Sequence, residues 1–300
     1  MGDALGAAVE GLPRGSFTPL TELSGGGPLG VAPGQWTDDT ALALCLAESL
    51  LAHADLDEHD LMHRFRRWQT AGENSSAGPG FGIGRTTYGA LGRFARSGDP
   101  RAGRAEDPPS NGGLMRLAPV AVRWWQAPQA AEALARRQCA TTHGAVEALD
   151  ACALLCRVLC AAIAGSGPAA LATPADPAWT QSVQHLAGGA WRDLPADAVG
   201  AAGEAVATLE AAFWCVHHTA SFAEAVLAAA NLGGDADTIA AVAGQIAGAA
   251  YGLAAIPQHW RARLHQQARI HALAWALARR PATSSCSPRR RTAPGRPRRP

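Results

Sequence analysis

The sequence predicts an all-α protein, folded as a compact multi-helix bundle. Ala and Leu recur at helical spacing along most of the chain, whereas Val and Ile do not alternate with polar residues as they do in strands. Hydrophobic residues make up 48% of the 300 residues, which is enough apolar chain to bury a sizeable core. We therefore expect one helical domain over residues 1–280.

Eight segments carry this helical pattern, at residues 41–52, 61–69, 113–127, 145–164, 201–217, 221–230, 238–253 and 259–279. Four links rich in Gly, Pro, Ser and Asp lie at residues 25–35, 72–80, 97–111 and 165–178. Links of this kind often carry functional residues, because a helical scaffold holds them in place.

Two segments carry glycines at helical spacing. Gly244, Gly248 and Gly252 lie four residues apart, and Gly2 and Gly6 repeat the spacing at the start of the chain. A glycine inside a helix costs up to about 1 kcal/mol relative to alanine. Glycines retained at this spacing predict helices whose backbones approach closely in a tight central bundle.

The charge distribution argues against a nucleic-acid groove. The formal net charge is +1, but residues 281–300 hold six arginines and no acid, so the rest of the chain is mildly acidic. We interpret this Arg- and Pro-rich tail as disordered. The longest apolar stretch, 151–164, is short and carries Arg157, so we expect no membrane span. From the N-terminal segment, we also expect no signal peptide.

The seven cysteines indicate a reducing compartment. None lies in a CxxC pair, and Cys152, Cys156 and Cys160 recur on one helical face among Leu and Ala. A metal site is one interpretation, but apolar neighbours favour buried free thiols. We therefore expect a cytoplasmic protein.

Acidic residues and threonines cluster directly before two apolar helices. Helix capping accounts for one acid or hydroxyl at a helix start, but not for a pair of acids beside a threonine at both. Adjacent carboxylates repel each other unless a cation lies between them, and oxygen ligands suit Mg²⁺ or Mn²⁺. Two ions about 3.5–4 Å apart are typical of two-metal hydrolytic sites. The candidate ligands are Thr37, Asp38, Asp39, Asp235, Asp237 and Thr238.

Further polar residues have two interpretations each. Asp3 and Glu10 lie seven residues apart, hence on one predicted helical face, which either joins the acidic site or faces solvent. Residues 110–116 form a polar turn whose backbone amides suit phosphate, or a simple turn. His143 precedes an apolar helix and is either a site residue or a structural hydrogen-bonding group. The glycine-rich segment 81–87 lacks the strand–helix context of a dinucleotide fingerprint.

These motifs together resemble the ADP-ribosylglycohydrolase family, and the combination of WTDDT with GGDADT is very specific. The matching segments extend from residue 2 to about residue 260, where Ile256, Pro257 and Trp260 close the pattern. In chain order they are GDALGAAVEG, GQWTDDTALALCLAESL, GIGRTTYGAL, SNGGLMRLAPVA, TTHGAVEALDAC and NLGGDADTIAAVAGQIAGAAYG.

The resemblance implies an all-α hydrolase with a binuclear centre of two divalent cations, Mg²⁺ or Mn²⁺. It implies a first ligand group of Thr37, Asp38 and Asp39, and a second of Asp235, Asp237 and Thr238. It further implies that Asp38, Asp39 and Glu10 take part in catalysis, with Glu10 contacting or gating the substrate.

The resemblance also implies a pocket for ADP-ribose, lined by Glu10, Asn111, Gly112, Gly113 and His143. The family removes ADP-ribose from modified side chains or hydrolyses related compounds by cleaving the glycosidic bond. We therefore expect an ADP-ribosylated protein or a small ADP-ribosyl compound as substrate, no nucleic-acid or membrane partner, and a monomer.

One departure from the family pattern bears on the activity. Many relatives carry an aspartate where this chain has Gly82, and in some of them it assists catalysis. The alternative function is therefore an ADP-ribose-binding protein without catalytic activity. A prenyl-diphosphate enzyme is a weaker alternative, because Leu42 replaces the third acid that a DDxxD motif requires after Asp38 and Asp39.

Overall fold

The computed structural model describes residues 1–280, and the predicted disordered tail at 281–300 lies outside the described residues. The described chain forms α-helices, short 3₁₀ and π turns and two isolated β-bridges, but no strand, so the all-α prediction is confirmed. The helices are α1 Gly2–Gly6, α2 Asp38–Ala52, α3 Glu58–Ala71, α4 Arg85–Ser97, α5 Ala118–Trp124, α6 Pro128–Ala140, α7 Val146–Ala161, α8 Gln181–Ala187, α9 Ala205–His217, α10 Phe222–Ala230, α11 Ala236–Tyr251, α12 Gln258–Arg263 and α13 Gln267–Arg279.

Helix α11 occupies the centre of the bundle, in contact with α1, α9 and α10. A Cβ atom at Gly2 would overlap the carbonyl oxygen of Ala240, and one at Gly6 would overlap the carbonyl of Ala236. The predicted close backbone approach is therefore confirmed for α1 and α11. Gly252 has a different role, because it ends α11 with a left-handed φ of +78°.

Helix α2 is held at its C-terminal end by a buried arginine. The guanidinium of Arg123 donates hydrogen bonds to the carbonyl oxygens of Leu50, His53 and Ala54. Leu50 lies in the last turn of α2, and His53 and Ala54 follow the helix, so the arginine bonds carbonyls at its C-terminal end and complements the negative end of the helix dipole. The start of α2 forms part of the candidate active site.

Several predicted helix boundaries are wrong. The helix predicted at 113–127 begins only at Ala118, because Pro119 has no N–H to continue a preceding turn and fits the first turn of a helix. The helix predicted at 259–279 is two helices, interrupted at Gln266, whose φ is +51°. Three helices, α4, α6 and α8, were not predicted; glycines at 89 and 92 obscure the pattern of α4.

One helical segment, Val146–Ala172, is long and apolar enough to cross a membrane by length and composition alone. Its most apolar 18-residue window has a mean hydropathy of 1.9, and the backbone is kinked at Gly165. In the fold, 67% of that window is buried, as in the core helices of many proteins. The segment packs against α5, α6 and α9.

The cysteines of the described chain are buried free thiols, as predicted. They are Cys45, Cys139, Cys152, Cys156, Cys160 and Cys215. Burial raises the pKa of Cys45 and of Cys215 to about 12, so these thiols stay protonated and unreactive at neutral pH. The cytoplasmic location inferred from them stays a prediction.

Candidate active site

The first turns of α2 and α11 meet at one place, beside the short helix α1. Thr37 is the N-cap residue of α2, and Asp235 is the N-cap residue of α11, but neither side chain bonds a first-turn N–H of its own helix. Helix capping, the alternative explanation of these motifs, therefore does not account for Thr37 or Asp235. Their side chains are available for another role.

The hydroxyl of Thr37 lies among three carboxylates. Its Oγ1 is 3.0 Å from Asp3 Oδ1, 3.1 Å from Asp39 Oδ2 and 3.0 Å from Asp237 Oδ2. A hydroxyl has one proton, so it can donate to only one of these oxygens. In the other two contacts, two oxygen atoms meet without a proton from this hydroxyl between them, and they repel each other. Protonation of a carboxyl group or a nearby cation would relieve that repulsion.

The carboxyl groups of this cluster are buried close to one another, which disfavours their charged forms. Asp39 Oδ1 is buried and has no hydrogen-bond partner in the described chain. Burial raises the pKa of Asp39 well above its usual range, and the charges of Asp3 and Asp38 add to the effect. The pKa values of Asp38 and Asp237 are raised well above normal for the same reason, burial first and neighbouring carboxylates second. Such a cluster favours the binding of a cation.

Two overlapping groups of carboxylates could hold metal ions. Asp3, Asp39 and Asp237 offer oxygens within 4.8 Å of one another, and Glu10, Asp235 and Asp237 do the same. Asp237 belongs to both groups. Oxygen-only sets of this kind match the preference of Mg²⁺ and Mn²⁺.

Glu10 reaches the cluster by a route that the sequence did not predict. Helix α1 ends at Gly6, so Glu10 lies in the following turn and not on one helical face with Asp3. The backbone N–H of Asp237 points at Glu10 Oε2, 3.3 Å away. Burial is the main cause that raises the pKa of Glu10.

A cavity of about 840 Å³ opens onto this cluster. Its wall includes Glu10, Asp38, Asp235, Asp237, Thr238, Asn111, Gly112 and His143. Thr37 and Asp39 lie behind this wall. Gly113, which was predicted to line the pocket, also lies behind it: a Cβ there would meet the sulfurs of Cys139 and Cys152, and its carbonyl accepts a hydrogen bond from Gln138.

Asn111 connects the cavity wall to the acidic cluster. Its Nδ2 donates to Asp235 Oδ2 at 2.7 Å and lies 2.8 Å from Thr208 Oγ1. These contacts hold the amide and the carboxylate in fixed orientations. Thr208 lies on α9 and helps to hold the Asn111 amide in place. The sequence did not predict this residue, because a threonine in an apolar helix gives no distinctive signal.

The backbone of Gly82 lies directly on Asp38. Gly82 has a φ of +84°, and a Cβ there would be 2.8 Å from Asp38 Oδ1 and 3.0 Å from Thr37 Cβ. Gly82 therefore adds only backbone to this part of the cavity wall and places no acidic side chain next to Asp38.

The fold and the site define an all-α protein with a carboxylate-rich cluster, suited to divalent cations, at the wall of a large cavity. The sequence model of the ADP-ribosylglycohydrolase family matches residues 1–286. A solved structure described as an ADP-ribosylglycohydrolase-related protein complex has a TM-score of 0.82 and 43% identity, covering 93% of each chain.

Two curated relatives extend the comparison. ADP-ribosylarginine hydrolase Tri1 of Serratia proteamaculans (strain 568) is 39% identical over 278 residues, 92% of this chain and 76% of that protein. ADP-ribosyl-[dinitrogen reductase] glycohydrolase of Rhodospirillum rubrum is 31% identical over 270 residues, 88% of this chain and 86% of that protein.

The chain belongs to the ADP-ribosylglycohydrolase family. The predicted enzyme class, a glycosidase acting on ADP-ribosyl groups, is confirmed by the family and its named relatives, and these relatives support the predicted removal of ADP-ribose. The prenyl-diphosphate alternative is excluded.

Proposed function

We propose that this protein is a metal-dependent hydrolase that removes ADP-ribose from a modified protein side chain by cleaving the glycosidic bond. The observation that carries the proposal is the set of three carboxylate oxygens around Thr37 Oγ1, beside the unpartnered oxygen of Asp39. Unpartnered buried acid oxygens are expensive unless a cation compensates them. The cluster borders a cavity large enough for a nucleotide-sized ligand.

Two divalent cations, Mg²⁺ or Mn²⁺, fit this donor set. The proposed ligands are the oxygens of Thr37, Asp38, Asp39, Asp235, Asp237 and Thr238. When bound, the ions supply a Lewis acid that lowers the pKa of a water molecule and fixes the hydroxyl groups of a sugar. Burial, with repulsion between the carboxylates second, raises the pKa values of Asp38, Asp39 and Asp237, and a bound cation would favour their charged forms.

The protein's own groups favour cleavage at the anomeric carbon. Breaking a glycosidic bond develops positive charge on the sugar ring, and the carboxylates of Glu10, Asp38 and Asp235 on the cavity wall would stabilise it. Glu10 would orient the ribose or the attacking water. Asp38, on the cavity wall, would accept or relay a proton, and Asp39, behind that wall, would act through its place among the metal ligands.

The turn at Asn111–Gly113 would hold the other end of the ligand. The N–H of Asn111 donates a hydrogen bond to the carbonyl oxygen of Gly203. The N–H of Gly112 has no backbone partner in the described chain. Gly112 lies on the cavity wall, so its amide is available to a phosphate oxygen. The glycine is required there, because a Cβ would be 2.6 Å from His143 Cε1.

The test is release of ADP-ribose from protein labelled through arginine or through serine, with Mg²⁺, with Mn²⁺ and with EDTA. Arginine is the first linkage to test, since two relatives at 39% and 35% identity are named ADP-ribosylarginine hydrolases. We expect metal-dependent release from one linkage and loss of release in Asp39→Asn. Tight ADP-ribose binding without release from either linkage would favour the non-catalytic alternative.

A further inference from the structure

Arg116 carries a buried charge whose hydrogen bonds all go to neutral partners. The residue is 0% exposed, and these partners are Gln138 and Thr142. Its Nη2 donates to Thr142 Oγ1 at 2.7 Å, its Nε donates to Gln138 Oε1 at 2.8 Å, and its Nη1 has no partner. Burying a guanidinium without an ion-paired carboxylate costs free energy, although Arg116 also donates to Gln138 O and lies over the Phe65 ring.

Thr142 joins this arginine to His143. Its Oγ1 lies 2.7 Å from His143 Nδ1, and both residues are buried. The guanidinium can only donate, so Thr142 Oγ1 accepts from Arg116 and keeps its own proton for a second partner. Within residues 1–280, His143 Nδ1 is the group within reach of that proton.

These contacts select one tautomer of His143. If Nδ1 carried the ring proton, Thr142 would accept two hydrogen bonds and its own buried O–H would have no acceptor, which is unfavourable. Nδ1 is therefore the acceptor, and the ring proton lies on Nε2. His143 lines the cavity, and its Nε2 has no hydrogen-bond partner among the described residues.

We propose that Arg116 and Thr142 are positioning residues that hold His143 as a neutral Nε2–H donor, directed at an acceptor oxygen of the bound ligand. The identity of that ligand, ADP-ribose, rests on the proposed function. In this arrangement both ring nitrogens are committed, Nδ1 to Thr142 and Nε2 to its proton. His143 therefore binds and orients, and it does not serve as a general base.

Burial keeps the imidazole neutral, and neighbouring positive charges add to the effect. Burial lowers the pKa of His143 to about 3, and the charges of Arg116 and Arg93 act in the same direction. Arg93 itself is paired with Asp107, so Arg116 is the unpaired charge near the ring. The same guanidinium thus favours one tautomer, through Thr142, and adds to the effect of burial on the protonation state.

The tautomer can be read directly by ¹⁵N NMR of the full chain labelled at histidine, without ligand. The His143 signals are assigned by their loss in His143→Phe. We expect an unprotonated Nδ1 and a protonated Nε2 in the wild type and in Thr142→Ser, and a mixture of tautomers in Thr142→Val. A wild-type His143 protonated at Nδ1 would overturn the proposal.

Binding of ADP-ribose, measured by calorimetry, tests the consequence. Thr142→Val should weaken binding about 3- to 10-fold, the effect of one neutral hydrogen bond, and Thr142→Ser should restore it. His143→Gln, which keeps an N–H donor, should lose less affinity than His143→Phe. The matched control is Thr173→Val, since Thr173 is also buried and donates to Ala170 O, but lies outside the cavity wall.

The two proposals fail in different ways. If Thr142→Val leaves both the tautomer and the affinity unchanged, Arg116 and Thr142 have a purely structural role. If the wild type does not bind ADP-ribose, the proposed function is contradicted, and the ligand-free NMR measurement still decides the tautomer.

Discussion

Asp3 Oδ1 accepts a hydrogen bond from the backbone N–H of Thr37 at 2.9 Å and lies 3.0 Å from the Thr37 hydroxyl. Its other oxygen accepts from the N–H of Thr40 at 3.0 Å and from the Thr40 hydroxyl at 2.6 Å. An acid on α1 thus caps the helix that carries Asp38 and Asp39. The cap also fixes the Thr37 hydroxyl among the carboxylates.

Thr40→Val tests this cap without changing a charge. Loss of the hydroxyl that donates to Asp3 Oδ2 should lower the free energy of unfolding by about 1.5–3 kcal/mol, the range for a hydrogen bond to a charged group. Urea denaturation measures the change. Thr70→Val is the control, because the exposed Thr70 hydroxyl bonds only Arg66 O, and we expect almost no effect there. Equal losses in both variants would contradict the cap.

Gly6→Ala should destabilise the protein, although alanine is the better helix former. A Cβ at Gly6 would overlap the carbonyl of Ala236 and lie 2.7 Å from Asp237 Cα, and such overpacking costs about 1–3 kcal/mol or more. The same substitution at Gly92, within α4, meets only the end of Arg96 at 3.5 Å and should stabilise by up to about 1 kcal/mol. Thermal denaturation of the two variants should therefore give shifts of opposite sign.

Gly82→Ala should lower turnover by displacing Asp38. The new Cβ would be 2.8 Å from Asp38 Oδ1, in a backbone with a φ of +84°. Gly15→Ala separates the two effects, because Gly15 has a φ of +76° and open space around it. Both variants should lose about 1–2 kcal/mol of stability from the left-handed backbone. A loss of activity that is the same in both would show that the contact with Asp38 is unimportant.

Bound metal should stabilise the folded protein. An ion at about 100 times its Kd adds about 2.7 kcal/mol, which raises the Tm by several degrees. We expect Mg²⁺ or Mn²⁺ to raise the Tm, EDTA to reverse the shift, and Asp39→Asn to abolish it. Asp99→Asn removes an exposed acid far from the cluster in sequence and should retain the full shift. A normal shift in Asp39→Asn would remove Asp39 from the proposed ligands.

His143 should make the protein less stable in mild acid. Its pKa falls from 6.5 in the unfolded chain to about 3 in the fold, so the unfolded chain binds more protons between these values. Stability from this group is present above pH 6.5 and is lost as the pH falls towards 3. At pH 5 the loss is about 2 kcal/mol.

Urea denaturation at pH 7.5 and pH 5.0 checks this value. Glutamine cannot titrate, so the difference in unfolding free energy between the two pH values should be about 2 kcal/mol smaller in His143→Gln than in the wild type. An equal difference in both proteins would mean that the buried imidazole does not resist protonation.

Local patterns in the chain were sufficient for the fold class and for the acids at the starts of α2 and α11. Helical spacing of apolar residues and paired acids next to threonine are both short-range signals, so they are visible in one sequence. Boundaries were less accurate where a single backbone angle ends a helix, as at Gln266 with its φ of +51°. Neither the cap formed by Asp3 nor the path by which Glu10 reaches Asp237 was foreseen.

The sequence alone therefore establishes which chemical groups this protein carries and which helices present them. Their assembly depends on contacts between residues distant in the chain. Asp3 and Thr37 are 34 positions apart in the chain, and Arg116 and Thr142 are 26 positions apart, yet each pair forms a hydrogen bond. No local sequence pattern predicts these pairings. Burial then sets the protonation state of those groups, because removal from water disfavours a charged group. It makes the buried carboxylates favour a nearby cation, and it leaves His143 neutral.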